Sequence, residues 1–230
     1  MTQLILTAPH PCSYLDDQTA TSAFVHPITP IDAPLYDLLL QHGFRRAGEH
    51  VYRPHCSACS ACTPVRARVN DHVPSRSQRR ILKRNQHLQR CIVPSSFTQE
   101  HYALYQTYID SRHDDGDMYP ASEEQYRSFI LCGWSDTYFM EMRDNGALVG
   151  CAVTDRVASG LSAVYTYFDP DYSQASLGTL GVLWQLQLAK EWNLPYLYLG
   201  YYIADCQKMN YKTKFRPIES FKEKSWILQK

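Results

Sequence analysis

Apolar and polar positions alternate with period two over Val65-Arg-Ala-Arg-Val69, which predicts a strand. From Pro74-Ser75 to about Leu88 the period becomes helical. Arg76, Arg79, Arg80, Lys83 and His87 fall on one side, while Ile81, Leu82 and Leu88 face another. Upstream, Asp32 to Gly43 reads as a short helix, with Asp32 as N-cap, Pro34 in the first turn and Gly43 as the stop. Glu49-His-Val-Tyr-Arg53 reads as a strand, and 91–98 as a short strand and connector. A helix follows over 101–111, with Tyr102, Tyr105 and Tyr108 read as core packing. Beyond the polar loop 112–118, the capping-box sequence Ser122-Glu-Glu-Gln125 opens a second helix to about Cys132. Thr137–Asp144 and Ala147–Thr154 flank Asn145-Gly146 as a hairpin with a type I′ turn, and Leu161–Phe168 is a third strand. A Ser/Gly-rich turn over 173–178 opens an amphipathic helix to about Trp192, and Tyr196–Ile203 is a buried strand.

Two helices, three antiparallel strands, a glycine-bearing turn into a long helix and one more strand form the element order of an N-acetyltransferase-like (GNAT-type) α+β fold, a mixed sheet with flanking helices. The expected division is a smaller Cys-rich basic N-terminal domain over 1–95 and a GNAT-like domain over 96–230.

The 23 basic and 23 acidic residues cancel, but the two signs are segregated. Residues 43–90 hold eleven Lys/Arg against Glu49 and Asp71; residues 100–155 hold eleven acids and three arginines; residues 205–230 hold seven basic residues against three acids. No acid occurs from His72 to Gln99, so the helix opening at Ser75 lacks the i,i+4 partners usual on a surface helix. Six cations from Arg76 to Arg90 therefore suit phosphate contacts, against the plainer reading of a solvated face. The composition, 44% hydrophobic and 20% charged, is that of a folded chain. No apolar run approaches the roughly 18 residues of a bilayer span, and residues 1–12 lack the pattern of a signal peptide. A cytoplasmic protein without a membrane partner is expected, its eight cysteines serving as metal ligands or plain thiols rather than disulfides.

Cys56, Cys59 and Cys62 follow at x-x spacing, with Cys12 available as a fourth donor, a set that can hold zinc or an iron–sulfur cluster. The second Cys-x-x-Cys pair of the usual zinc arrangement is missing, so unligated thiols stay open as the other reading. Ser176-Leu-Gly-Thr-Leu-Gly181 lies where a helix begins, and its first amides can hold a phosphate or a polarised carbonyl; close packing of that helix on the sheet would explain the glycines equally well. No Gly-x-Ser-x-Gly elbow, His-Glu-x-x-His or Walker loop occurs. His113, Asp114 and Asp117 share a polar loop that is either an active-site rim or a solvated turn.

Five stretches occur together and in one order: Cys12-Ser-Tyr-Leu15; Gly43-Phe-Arg-Arg46 with Val51-Tyr-Arg-Pro54; Pro74-Ser-Arg-Ser-Gln-Arg-Arg80 with Lys83-Arg84; Ser111-Arg-His113 with Asp115-Gly-Asp-Met118; and Tyr198-Leu-Gly-Tyr-Tyr-Ile203 with Lys208-Met and Tyr211-Lys212. From about residue 10 to 220 the chain resembles the bacterial aspartate/glutamate leucyltransferases, relatives of the eukaryotic arginyl-tRNA–protein transferases. The resemblance implies transfer of leucine from Leu-tRNA to proteins with N-terminal Asp or Glu, marking them for degradation by the N-end rule, with no cofactor required for transfer. It implies that Arg76, Arg79, Arg80, Lys83 and Arg84, with Lys208, Lys212 and Arg216, hold tRNA phosphates. One basic residue among them would instead pair with the acceptor's acid, where a bidentate Arg suits best. Eukaryotic relatives carry Cys-x-x-Cys near the start and an adjacent Cys-Cys later, linked to iron–sulfur binding; here Leu15 replaces the second cysteine, and only Cys12 matches by position.

The implied reaction is aminolysis of an activated ester. An α-amine with a pKa near ~8 is partly neutral at cellular pH, so the site needs positioning and oxyanion stabilisation more than a strong base. The amides of Leu177, Gly178 and Thr179 are the candidate donors, and Asp117, Tyr198 or Tyr202 the candidate proton relay. Arginyl transfer is one alternative. A coenzyme-A-dependent N-acyltransferase is another, but it usually shows Arg/Gln-x-x-Gly-x-Gly/Ala, and Ala175 stands at the basic lead position. A metal-stabilised RNA-binding module would leave residues 96–230 unexplained.

Overall fold

A computed structural model describes residues 2–112, 116 and 118–229. Short strands β1 (Leu4–Leu6), β2 (His10–Pro11), β3 (Thr19–Ala20) and β4 (Ser22–Val25) open the chain. Helix α1 (Ala33–Gln41) and strands β5 (Arg45–Ala47), β6 (His50–Pro54) and β7 (Thr63–Arg68) follow. Helix α2 (Arg76–Arg84) leads to β8 (Gln89–Pro94), then to helices α3 (Gln99–Arg112) and α4 (Glu123–Ile130). Strands β9 (Asp136–Asp144), β10 (Ala147–Val157) and β11 (Gly160–Phe168) precede a 3-10 turn (Pro170–Ala175), helix α5 (Leu177–Glu191) and β12 (Tyr196–Tyr202). Helix α6 (Gln207–Asn210), a 3-10 turn (Tyr211–Lys214) and the hairpin of β13 (Ile218–Lys222) and β14 (Ser225–Leu228) complete the described elements.

The architecture is mixed α+β. The large sheet runs β14-β13-β7-β12-β11-β10-β9-β8, with β11 and β12 its parallel pair, and a smaller sheet runs β1-β4-β6-β5. Strand β7 lies between β13 and β12 and β8 forms an edge, so the large sheet draws strands from both sides of residue 95. Side chains alternate across β9: Phe139 meets Tyr105, Ile109 and Tyr126 of α3 and α4, while Met140 and Met142 meet Leu177 and Leu180 of α5. Helices α3 and α4 thus cover one face and α5 the other, and α2 lies against α5. The tyrosines of α3 pack as the sequence suggests, Tyr105 being fully buried.

Local signals set the helix ends. Asp32 accepts the Leu35 N–H at 2.9 Å, and Ser75 and Gln78 close a reciprocal capping box. Asn145 and Gly146 take the positive φ of the hairpin turn. Helix α2 stops at Arg84, short of Leu88, because the Asn85 side-chain amide donates to the carbonyls of Ile81 and Ala175, both at 2.9 Å. No helix among the described residues is long and apolar enough to cross a membrane.

Candidate functional site

Strands β11 and β12 pair only at Gly160–Tyr196, Leu161–Leu197 and Ser162–Tyr198, and their C-terminal halves then separate. Each stays anchored on its outer side, β11 to β10 as far as Phe168 and β12 to β7 as far as Tyr202. The result is a fork in the sheet. Helix α5 starts at the end of the β11 arm. Its N-cap, Ser176, is in the left-handed region (φ 57) and makes no side-chain cap. The N–H groups of Thr179 and Leu180 both reach the Ser176 carbonyl at 3.0 Å. Among the described residues, that leaves the Leu177 and Gly178 amides without an acceptor, as the first turn of a helix does.

The basic helix borders the same region. Near its end, Arg84 Nη1 donates to the Gln174 carbonyl and Asn85 to that of Ala175, in the turn that opens α5. Near its start, Gln78 donates to the Lys214 carbonyl at 3.1 Å, and in the preceding loop His72 Nδ1 lies 2.7 Å from the Arg216 carbonyl. Helix α2 therefore spans from the mouth of α5 to the segment after β12. Arg76, Arg79, Arg80, Lys83 and Arg84 are exposed, as are Lys208 and Arg216. No ion pair among the described residues engages those five cations of α2. Arg90 differs from the expectation of six uncompensated charges: its Nη2 donates to both carboxylate oxygens of Glu191, each at 2.8 Å.

Lys212 is not on the surface. It is 7% exposed, and its Nζ donates to the Tyr201 carbonyl at 2.5 Å and approaches Met209 Sδ at 3.3 Å. Burial, and then the charge of Arg45, pull its pKa down to about 7, while Cys206 and Cys62 act the other way. Arg45 is 8% exposed and reaches into the fork, donating from Nη1 to Ser162 Oγ at 2.8 Å and from Nη2 to the Ala163 carbonyl. Gly200, at φ +81, sits where the β12–β7 register shifts, and a Cβ there would lie 3.2 Å from Arg45 Nε. Reasoning from sequence assigned Arg45 no role. Its one signal was its place in Gly43-Phe-Arg-Arg46, which charge counting cannot separate from the other arginines.

The candidate proton-relay residues are not brought together. Tyr198 OH lies 2.8 Å from Ser159 Oγ and accepts from Arg66 Nη1 at 3.4 Å, on the face that packs against α1. Tyr202 packs on the α5 side. The irregularity at Gly200 breaks the alternation that would place both on one face. His113, Asp114 and Asp117 lie outside the described residues.

Cys12, Cys56, Cys59 and Cys62 do converge. All four line a single cavity of about 260 Å³. Burial pushes the Cys62 thiol up to about 11, with Cys12, Cys56 and Cys59 adding to the rise and Lys212 opposing it. The soft donors suit zinc or iron–sulfur chemistry, yet as placed no three His, Cys, Asp or Glu among the described residues form a group able to hold a metal ion. A larger cavity of about 740 Å³, lined by Glu49, His50, Glu123, Glu124 and Arg127, contains none of the sequence-predicted residues.

Residues 10–80 match the family model for the N terminus of arginine-tRNA-protein transferase, and residues 100–222 match that for its C terminus. An aspartate/glutamate leucyltransferase of Marinobacter nauticus is 52% identical over 96% of this chain and 93% of its own length. One of Hahella chejuensis is 52% identical over 96% and 94%. A solved C-terminal domain of a putative lysylphosphatidylglycerol synthetase from Agrobacterium fabrum aligns at 13% identity, covering 75% of this chain and 53% of that one, with a TM-score of 0.49. Over nearly its whole length, then, this chain belongs to the arginine-tRNA-protein transferase family, in its aspartate/glutamate leucyltransferase branch.

Proposed function

We propose that this protein transfers leucine from Leu-tRNA to the α-amine of proteins beginning with Asp or Glu, in the N-end rule pathway of the cytoplasm. The observation that carries the site assignment is the fork between β11 and β12, bordered by the open amides of α5 and by the uncompensated cations of α2. Three antiparallel strands, the helix α5 and a strand parallel to the third support a GNAT-like scaffold for residues 96–230. Residues 1–95 supply the basic helix and the cysteine loop.

In the reaction the acceptor amine attacks the leucyl carbonyl carbon. The ester bond to the ribose oxygen breaks, and the amine proton passes to that oxygen. The developing oxyanion would be met by the N–H groups of Leu177 and Gly178, since that of Thr179 is turned to Ser176. The exposed cations of α2, with Lys208 and Arg216, would hold tRNA phosphates. Cys12, Cys56, Cys59 and Cys62 would have to draw closer than they stand here to hold zinc or an iron–sulfur cluster as a staple of the N-terminal loop, and no step of the transfer runs through it. Metal analysis of anaerobically purified protein tests that assignment.

Labelled Leu-tRNA, Arg-tRNA and acetyl-CoA, each offered with peptides beginning Asp, Glu, Lys or Ala, test the activity. Leucine should enter the Asp and Glu peptides alone; acetyl transfer without leucyl transfer would overturn the reading. The oxyanion assignment has its own check. Gly178→Pro removes one amide within the first helical turn, where proline is tolerated. It should lower kcat by about a hundredfold with little change in melting temperature. Gly178→Ala, whose Cβ would sit an ordinary 3.5 Å from Phe168 Cε1, should stay near wild type. A Pro variant that retains full kcat would rule the amide out.

A further inference from the structure

We propose that Arg45 and Lys212 together form the pocket that reads the side-chain carboxylate of the acceptor's N-terminal residue; this rests on the leucyltransferase reading. Every other buried charge among the described residues has a partner of opposite sign. Arg46 meets Asp155, Arg66 meets Glu219, and Glu141 meets Arg143. Arg45 and Lys212 have none within ion-pair distance, although each is more than nine-tenths buried and each lies in the other's field. A guanidinium and an ammonium taken out of water within each other's field are unfavourable unless the amine gives up its proton or an anion joins them.

The geometry fixes where that anion goes. Arg45 is tied to the β11 arm of the fork through Ser162 and Ala163, and Lys212 to the β12 arm through the Tyr201 carbonyl. Only neutral acceptors engage either group. A guanidinium has five N–H donors and an ammonium three. Both side chains therefore keep donors to spare, in a place framed by the two diverging strands. Gly200 contributes by lacking a Cβ where the guanidinium edge lies against β12.

A carboxylate on a chain end fits this place better than a backbone phosphate. Phosphates of a folded RNA are spaced along a surface, and the exposed row on α2 matches that form. A buried pair at the base of a fork suits a single short acidic side chain better than a row of phosphates. It also explains how an enzyme could refuse the amide analogues. With Asn or Gln in the pocket both cations stay uncompensated, and a polar site rejects a ligand that fails to satisfy it.

The test compares Arg45→Lys, Arg45→Gln and Lys212→Met with wild type on peptides beginning Asp, Glu, Asn and Gln, alongside Leu-tRNA binding and thermal melting. For the Asp and Glu peptides kcat/KM should fall at least about a hundredfold, while that for the Asn and Gln peptides changes less than about threefold. Discrimination should thus collapse, with Leu-tRNA affinity retained. Lys212→Met should melt at or above the wild-type temperature, because it removes an unpaired buried cation; a purely structural lysine would give a lower one. Folded variants that keep wild-type preference for Asp over Asn, or lose both peptides by one factor, would overturn the pocket. Weakened Leu-tRNA binding with unchanged preference would assign the pair to phosphate instead. Wild-type protein that moves no leucine to any of these peptides would overturn the leucyltransferase reading itself.

Discussion

Arg46→Met, and separately Asp155→Asn, should each lower the free energy of unfolding by about 3–5 kcal/mol. For a chain of this size that is a fall in melting temperature on the order of 10 °C. Both side chains are fully buried. Arg46 donates from Nε to Asp155 Oδ2 at 2.5 Å and from Nη2 to Oδ1 at 2.6 Å. Thr137 Oγ1 donates to Oδ1 at 2.7 Å, and Tyr36 OH to Oδ2 at 2.8 Å. Arg46 also donates to the Gly48 carbonyl at 3.2 Å. The network ties the small sheet, through β5, to α1 and to the neighbouring strands β9 and β10 of the large sheet. Burial alone would lower the Arg46 pKa, but the charge and hydrogen bonds of Asp155 more than offset it and hold the guanidinium ionised. Burial, followed by Asp155, raises the Tyr36 phenol, which stays a donor. Removing one partner leaves the other charged and alone in the core, whereas a double replacement by apolar residues removes both charges. The double variant Arg46→Met with Asp155→Leu should therefore be more stable than the sum of the two single effects predicts. Urea unfolding reads all three, and single variants within about 1 kcal/mol of wild type would show that the pair is replaceable.

Those distances also show what the sequence could and could not convey. Helix starts were legible because Asp32, Ser75 and Ser122 each act on a residue three places on. The central run of β9, β10, β11, α5 and β12 was legible because each element carries its own periodicity and turn chemistry. The fate of each arginine between 43 and 90 was not. Arg46, Arg66 and Arg90 find their acids 109, 153 and 101 positions away, beyond any local window. A charge count therefore grouped the paired Arg46, Arg66 and Arg90 with five exposed cations on α2 and with the buried Arg45. The end of α2 was misjudged for the same reason, since Asn85 is held by Ala175, 90 positions on. Tyr198 and Tyr202 looked equivalent four residues apart until the irregularity at Gly200 turned them to opposite faces. Spacing grouped Cys56, Cys59 and Cys62, with Cys12 only an available fourth donor; that all four line one cavity depends on contacts across more than 40 positions. Lys212, placed by the resemblance among the residues that hold tRNA phosphates or the acceptor's acid, is buried and within the field of Arg45 and of Cys62.

Once the paired cations are set aside, the row on α2 makes a quantitative demand. The variant carrying Arg76→Ala, Arg79→Ala, Arg80→Ala and Lys83→Ala should bind tRNA with a log–log salt slope shallower by roughly 3, at about 0.7–0.9 for each phosphate that is no longer neutralised. Near ~0.1 M salt that corresponds to roughly a thousandfold weaker affinity. Alanine favours the helical state, so the helix should persist. Its apolar side, Ile81 and Leu82, still packs against the two clusters that α5 shares with the sheet. Arg84 is left in place because its donation to the Gln174 carbonyl helps to seat the turn before α5. Arg90→Ala is the control: one positive charge is removed from β8, close after α2, from a residue whose Nη2 contacts both carboxylate oxygens of Glu191. Its slope should stay at the wild-type value. If the fourfold variant and the control shift the slope equally, α2 is a solvated surface and the RNA is held elsewhere. If only the fourfold variant shifts it, the cations that found no acid within the protein find their counter-charges on the RNA backbone, beside the fork proposed to hold the amino-acid ester.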